Sequence, residues 1–310
     1  MRLGAIICGT ISVTLGCLVL AQRGPEKPLG THYTASLLTG GRLVAFPFDR
    51  EEVTVALPPG FSGNVFSFSA DGMRLYGIAN GTEGETLPVV VASIKSGNLK
   101  AIEASRGLSS FLSLAADANG GVMAVTAVYR HNGAQECGIF ELDVAKGIAE
   151  HVVDNPRGEC FDFVSLWKQL SLSPDGRRVV GTAGSGQLGV INLRQHRVEK
   201  LWPGEAAWWS PDGKWIAALT YTSPAEIDLI RASDLSIQRK LGHDTGGRLQ
   251  WSPDSRYLLL LDLGACGASS GYFGTLVTLD IETGQRKPIN SSRCKVNHSS
   301  VGWVSDDVLR

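Results

Sequence analysis

From about residue 43 onward, short apolar or aromatic segments alternate with compact polar turns, the pattern of strands joined in hairpins. One turn keeps returning: Ser69-Ala70-Asp71-Gly72, Ser173-Pro174-Asp175-Gly176, Ser210-Pro211-Asp212-Gly213 and Ser252-Pro253-Asp254-Ser255. Two looser copies carry Asp117, within Ala116 to Gly120, and Asp306, within Trp303 to Asp307. Each copy follows a segment such as Ala207-Trp208-Trp209 or Leu249-Gln250-Trp251 and precedes a run such as Trp215 to Leu219. The chemistry suits a hairpin: Pro presets φ, the Asp side chain accepts from amides just downstream, and Gly tolerates positive φ. Asp71, Asp117, Asp175, Asp212, Asp254 and Asp306 are therefore read as structural turn residues. Repeated carboxylates of this kind would be dispersed round a ring, not gathered on one substrate.

A second hairpin lies between the copies of the first. It pairs Val89 to Ile94 with the turn Lys95-Ser96-Gly97, Ile139 to Asp143 with Lys146-Gly147, and Leu276 to Asp280 with Glu282-Thr283-Gly284. Further copies start at Gly189 and Ile227, and the earliest runs from Leu43 to Leu57. Alternating the two hairpins builds a four-stranded blade, and the turn aspartates recur at intervals of 46, 58, 37, 42 and 52 residues, near the propeller period. The expected fold is an all-β, six-bladed β-propeller of antiparallel blades, with seven blades the less favoured count. The 58-residue interval places an insertion in Asn155 to Lys168. The chain begins on the second type of hairpin and ends on the first, so the two ends should complete one blade and close the ring. Tyr33 to Leu38 supplies an extra strand there, giving one strand from the C-terminus and three from the N-terminus.

These turns, each followed by an aliphatic strand, resemble the WD-like propeller repeats of the TolB type over most of residues 60–310, most specifically at Asp175, Asp212 and Asp254. TolB-type proteins also carry a smaller α/β domain before the propeller, and some forty residues between leader and first turn leave no room for one. The resemblance thus implies a shared repeat, not a shared function.

Composition changes the picture in two places. A formal net charge of -1 with 19% charged residues supplies no polybasic field, so nucleic acid is not an expected partner. Residues 1–21 read as an export signal, with Arg2, an apolar run from Leu3 to Leu20, and Val19-Leu20-Ala21 near a cleavage point. Residues 22–30 form a linker, 31–310 a single propeller domain, and the mature protein is periplasmic or secreted with no membrane span. An uncleaved anchor is the competing reading; a lipoprotein start at Cys17 is weaker still. Cys137, Cys160, Cys266 and Cys294 then fall in a disulfide-permitting compartment. Their places relative to the third and fourth strands predict the pairs Cys137–Cys160 and Cys266–Cys294.

No catalytic constellation is apparent. Gly184 to Gly189 fits GxGxxG but joins two strands, and Gly267 to Gly271 fits GxSxG inside a Gly/Ser-rich loop, so neither has the strand-to-helix context its chemistry requires. His32, His131, His151, His196, His243 and His298 are scattered singly, without metal-site spacing, and neither cofactor nor metal is expected. The expected binding surface is the face opposite the Ser-Pro-Asp-Gly turns. It gathers Tyr129, Arg130, His131, Arg157, Phe161, Phe163, Trp167, Tyr221, His243, Tyr272 and Phe273 on irregular loops, aromatics and arginines that suit protein recognition, with a glycan as the other partner class. The same aromatics could equally pack over blade edges. The function expected is an exported, non-catalytic scaffold; the alternatives are a glycan-active lyase or hydrolase, or a small-ligand sensor.

Overall fold

The computed structural model describes residues 33–39, 42–47, 51–79, 88–131, 134–154, 167–183, 186–220, 222, 225–244, 249–263, 266, 273–289, 292–296 and 300–309. The leader and linker therefore lie outside the described residues.

Three strands come first: β1 (Tyr33–Thr39), β2 (Arg42–Phe46) and β3 (Val53–Ala56). Five complete blades follow. Blade 1 is β4 (Phe61–Phe68), β5 (Arg74–Ala79), β6 (Val89–Ser93) and β7 (Leu99–Ala101). Blade 2 is β8 (Leu108–Ala116), β9 (Val122–His131), β10 (Ala134–Asp143) and β11 (Ile148–Asp154). Blade 3 is β12 (Trp167–Leu172), β13 (Arg178–Ala183), β14 (Gln187–Asn192) and β15 (Arg197–Pro203). Blade 4 is β16 (Ala206–Trp209), β17 (Trp215–Leu219), β18 (Ala225–Arg231) and β19 (Ser236–Asp244). Blade 5 is β20 (Leu249–Trp251), β21 (Tyr257–Asp262), β22 (Thr275–Asp280) and β23 (Arg286–Pro288), and β24 (Ser300–Ser305) ends the series.

Every blade is an antiparallel four-stranded sheet, and the sixth has the order β24-β1-β2-β3. The C-terminal strand is thus its innermost member, with Ala35 opposite Trp303 on one side and Phe46 on the other. This is the closure that the order of hairpins predicts, one strand from one end and three from the other. It joins the single C-terminal strand to the three strands from the other end of the described chain, so neither set stands alone.

The core is divided among the six junctions between blades. In β21, Leu258 and Leu260 pack toward blade 4 with Ala217, Leu229 and Trp251, whereas Leu259 and Leu261 pack toward the closing blade with Phe46 and Trp303. Both faces of a middle strand are therefore buried, which is why Tyr257-Leu258-Leu259-Leu260-Leu261 is continuously apolar. Trp209 and Trp251 are buried, while Trp208 and Trp215 lie partly buried against the blade 4–5 cluster.

Candidate functional site

The four close copies of the repeated turn have one hydrogen-bond plan. The Ser hydroxyl donates to the Asp carboxylate at 2.5–2.6 Å in Ser69/Asp71, Ser173/Asp175, Ser210/Asp212 and Ser252/Asp254. The same Ser oxygen accepts from the amide five residues on, at 2.8–2.9 Å. The carboxylate accepts in turn from the amide two residues after it. Burial alone would raise the carboxyls of Asp71, Asp175 and Asp212, but these hydrogen bonds and the neighbouring cations hold them below the ordinary range. Asp117 departs from this plan: its N–H donates to the Val122 carbonyl and its carbonyl accepts from Gly120 N–H, the backbone bonds that Ser69 makes with Arg74 and Gly72. It therefore stands at the serine position of a turn of the same length, and its carboxylate accepts from Gly121 N–H at 2.8 Å. The extra residue read from the sequence is corrected by this alignment. Asp306 differs: it opens a single 3-10 turn after β24 and accepts from the Thr34 hydroxyl at 2.7 Å, so it joins the two chain ends and not two strands of one hairpin.

Inside these turns the six innermost strands surround an axial channel of about 390 Å³, to which Ser67, Leu114, Gln169, Trp208, Gln250 and Val301 each contribute from a different blade. Its open mouth is rimmed by Ala70, Asp117, Pro174 and Pro211, so it faces the repeated-turn side. The wall is stitched across blades. Ser113 Oγ accepts from Leu170 N–H at 2.8 Å, and Ser171 Oγ accepts from Trp209 N–H at 2.9 Å. Trp251 Nε1–H donates to the Trp208 carbonyl at 2.9 Å, and Trp303 Nε1–H donates to the Gln250 carbonyl at 3.4 Å. At the seam between β24 and β4, Gly302 admits the Phe68 ring, which a Cβ there would meet at 2.2 Å.

The opposite face is only partly described. Arg157, Cys160, Phe161, Phe163, Tyr221 and Tyr272 lie outside the described residues. Tyr129, Arg130 and His131 end β9, Trp167 begins β12, and His243 belongs to β19. The sequence reading that put these five on loops is thus corrected, because strand pairing reaches them: Tyr129 lies opposite Glu136 near the β9–β10 tip, and Trp167 opposite Ala183 and His243 opposite Glu226 at the open ends of their hairpins. His243 is exposed, and its carbonyl accepts from Arg286 of blade 5.

Phe273 is the clearest aromatic of that face, 46% exposed. The residue after it, Gly274, exchanges two backbone hydrogen bonds with Val296, at 2.6 and 3.3 Å. The disulfide Cys266–Cys294 ties the same two segments together, with Thr275 Oγ1 3.6 Å from Cys266 Sγ. This disulfide is the one expected within blade 5. Cys137 is also disulfide-bonded, within β10, and the position expected of its partner, Cys160, lies outside the described residues.

Sequence reasoning passed over Gln169, Gln250 and Phe68. Gln250 sits between two apolar residues of a strand, where a polar residue ordinarily points to solvent; in a ring, solvent includes the axis. The only sign that could have found them was their place on the strand before each repeated turn.

These features define the class: a six-bladed β-propeller closed by both ends of the chain, with an axial channel open on the repeated-turn face. No protein-family model and no curated protein sequence matches the chain. Among solved structures, it is similar to TolB from Acinetobacter baumannii, at 16% identity and a TM-score of 0.62, over 94% of this chain and 71% of that one. A chain of a nidogen/laminin complex aligns at 10% identity and a TM-score of 0.56, over 88% of this chain and 99% of that one. A suggested 6-phosphogluconolactonase from Bacteroides uniformis aligns at 14% identity and a TM-score of 0.51, over 88% and 100%. At these identities the likeness is one of fold, and it agrees with the resemblance carried by the repeats.

Proposed function

We propose that this chain is an extracytoplasmic, non-catalytic interaction propeller that meets a protein partner on the face opposite its repeated turns. The observation that carries the reading is Phe273: a large apolar side chain, 46% exposed, on a segment clamped by a disulfide and a backbone bridge. An exposed aromatic is a binding anchor when its ordering cost has already been met by the frame, which the clamp achieves here. Disulfide-bonded Cys137, Cys266 and Cys294 support an oxidising compartment. The carboxylates that repeat round the ring are engaged in holding turns, which supports a structural role for them. One fold neighbour comes from a nidogen/laminin complex, an instance of a propeller-like chain crystallised with a protein partner.

Mature protein immobilised as bait for a cell-envelope extract tests this. The expected result is a reproducible partner retained by the wild type and lost with Phe273→Ala at unchanged thermal midpoint. Retention unaffected by Phe273→Ala, together with Tyr129→Ala and His243→Ala, would remove this face from the reading. Turnover of a lactone by the purified protein would overturn the non-catalytic part.

A further inference from the structure

The outer hairpin of blade 4 buries a carboxyl in apolar surroundings. β18 sends Ile227 and Leu229 toward blade 5 and Ile230 toward blade 3. Asp228 lies opposite Ala218 and shares the face of Ile230, so it stands against the apolar seam with blade 3. It is 7% exposed, and its Oδ1 is shielded from solvent with no hydrogen-bond donor among the described residues. A turn carboxylate such as Asp212, by contrast, accepts from a serine hydroxyl and a backbone amide. A carboxyl buried without a donor resists ionisation.

The cation placed to answer it is committed elsewhere. Lys240 stands directly across from Asp228 in the β18–β19 register, yet its Nζ donates to Glu226 Oε2 at 2.5 Å. The register slips on both sides of this pair, between Glu226 and Asp228 and again between Leu229 and Ile230, so two bulges bracket it. Leu241 and Gly242 fall in the first slip, and Gly242 has φ +94. The hydrogen bond from Lys240 holds the Glu226 carboxyl below its ordinary range, whereas burial, opposed by the Lys240 charge and aided by that of Glu226, pushes Asp228 up. Around Asp228, β17 carries no titratable side chain, β18 brings Glu226, and β19 brings Lys240 together with His243 opposite Glu226. From blade 3, Arg178 and Lys200 donate to the Ala232 and Leu235 carbonyls past the other end of β18, with Glu199 3.9 Å from Arg178. Glu205, on the connection between the blades, is exposed.

We propose that Asp228, Glu226 and Lys240 form a proton-operated switch in which Asp228, on releasing its proton to water, draws the Lys240 ammonium away from Glu226. Two carboxyls compete for one cation, and the flanking bulges let β19 adjust to whichever holds it. The switch does not depend on the protein-binding reading. Carboxyl-detected NMR of the mature protein tests it: Asp228 should titrate above free aspartate, with Glu226 and the Lys240 Nζ showing an inflection at that same pH. Glu226→Gln, which releases the ammonium to Asp228, should lower the Asp228 midpoint, and Lys240→Gln should raise it. A carboxyl raised in the folded protein contributes stability that is complete below the ordinary aspartate value of about 4 and is lost as pH rises through the folded value. The thermal midpoint of Asp228→Asn should therefore gain on that of wild type between about pH 3 and about pH 7. The proposal is overturned if Asp228 titrates at or below free aspartate, or if Glu226 and Lys240 show no inflection with it. An Asp228 midpoint unmoved by Glu226→Gln, or an Asp228→Asn variant that does not gain on wild type with rising pH, would overturn it equally.

Discussion

Ser210→Ala removes the oxygen on which one repeated turn depends. Ser210 is fully buried; its hydroxyl donates to Asp212 at 2.6 Å and accepts from Trp215 N–H at 2.9 Å. Losing the bond to the carboxylate costs about 1.5–3 kcal/mol, and stranding the Trp215 amide costs about 1–3 kcal/mol. Since one atom serves both bonds and the turn can relax, a combined loss of about 3 kcal/mol is expected, or roughly 5–10 °C in thermal midpoint for a domain of this size. The loss depends on pH. Burial pushes the Asp212 carboxyl up, but the bonds from Ser210 and Lys214 and the Lys214 charge bring it below the ordinary value. A depressed carboxyl contributes stability that is complete above the ordinary carboxylate range near pH 4 and disappears as pH falls through the folded value. Ser210→Ala removes part of that depression, so the gap to wild type should be widest at pH 7 and shrink below about pH 3. Calorimetry and urea titrations followed by tryptophan fluorescence at both pH values measure it. A loss under about 1 kcal/mol at pH 7, or a gap equal at both pH values, would refute this account of the turn.

Gly302→Ala would set a Cβ 2.2 Å from the Phe68 ring and should cost about 1–3 kcal/mol while speeding proteolysis at the closing blade. Gly284→Ala, with φ +74 but nothing within 4 Å, should cost only about 1 kcal/mol and leave the cleavage pattern unchanged. The double variant Cys266→Ser/Cys294→Ser opens a loop of 28 residues and should lose about 3–4 kcal/mol by denaturant titration; wild type in reducing agent should lose at least as much. Ser255→Gly restores the glycine found in the other turns, yet it should not stabilise the protein. The relief of φ 61 is offset by losing the Ser255 Oγ that accepts from Asp212 N–H at 2.9 Å, and a rise in midpoint would contradict this.

Much of the fold was legible because the blade-forming signals are local. Ser210-Pro211-Asp212-Gly213 carries its own turn geometry, the apolar segments on either side mark its strands, and their repetition counts the blades. The order of the two hairpin types even foretold which strands come from which chain end, since the leftover hairpin at one end and the leftover strand at the other complete one four-stranded blade. The pairing of Cys266 with Cys294 followed from the same register.

What the turns cannot reveal lies between blades. Trp251 meets the Trp208 carbonyl and Ser113 meets the Leu170 amide across 43 and 57 residues of chain, and no local pattern encodes these partners. Because both faces of a middle strand are buried, alternation no longer separates inside from outside, and a residue such as Gln250 looks solvent-facing when it faces the axis. Gln169 is the extreme case: its left-handed backbone arises from a register slip in β12, in a packed ring where Ser171 must reach Trp209. The sequence alone determined the repeating hairpins and the closure of the ring. Tertiary packing alone decided which side chains line the channel, since that depends on how six separately specified blades meet.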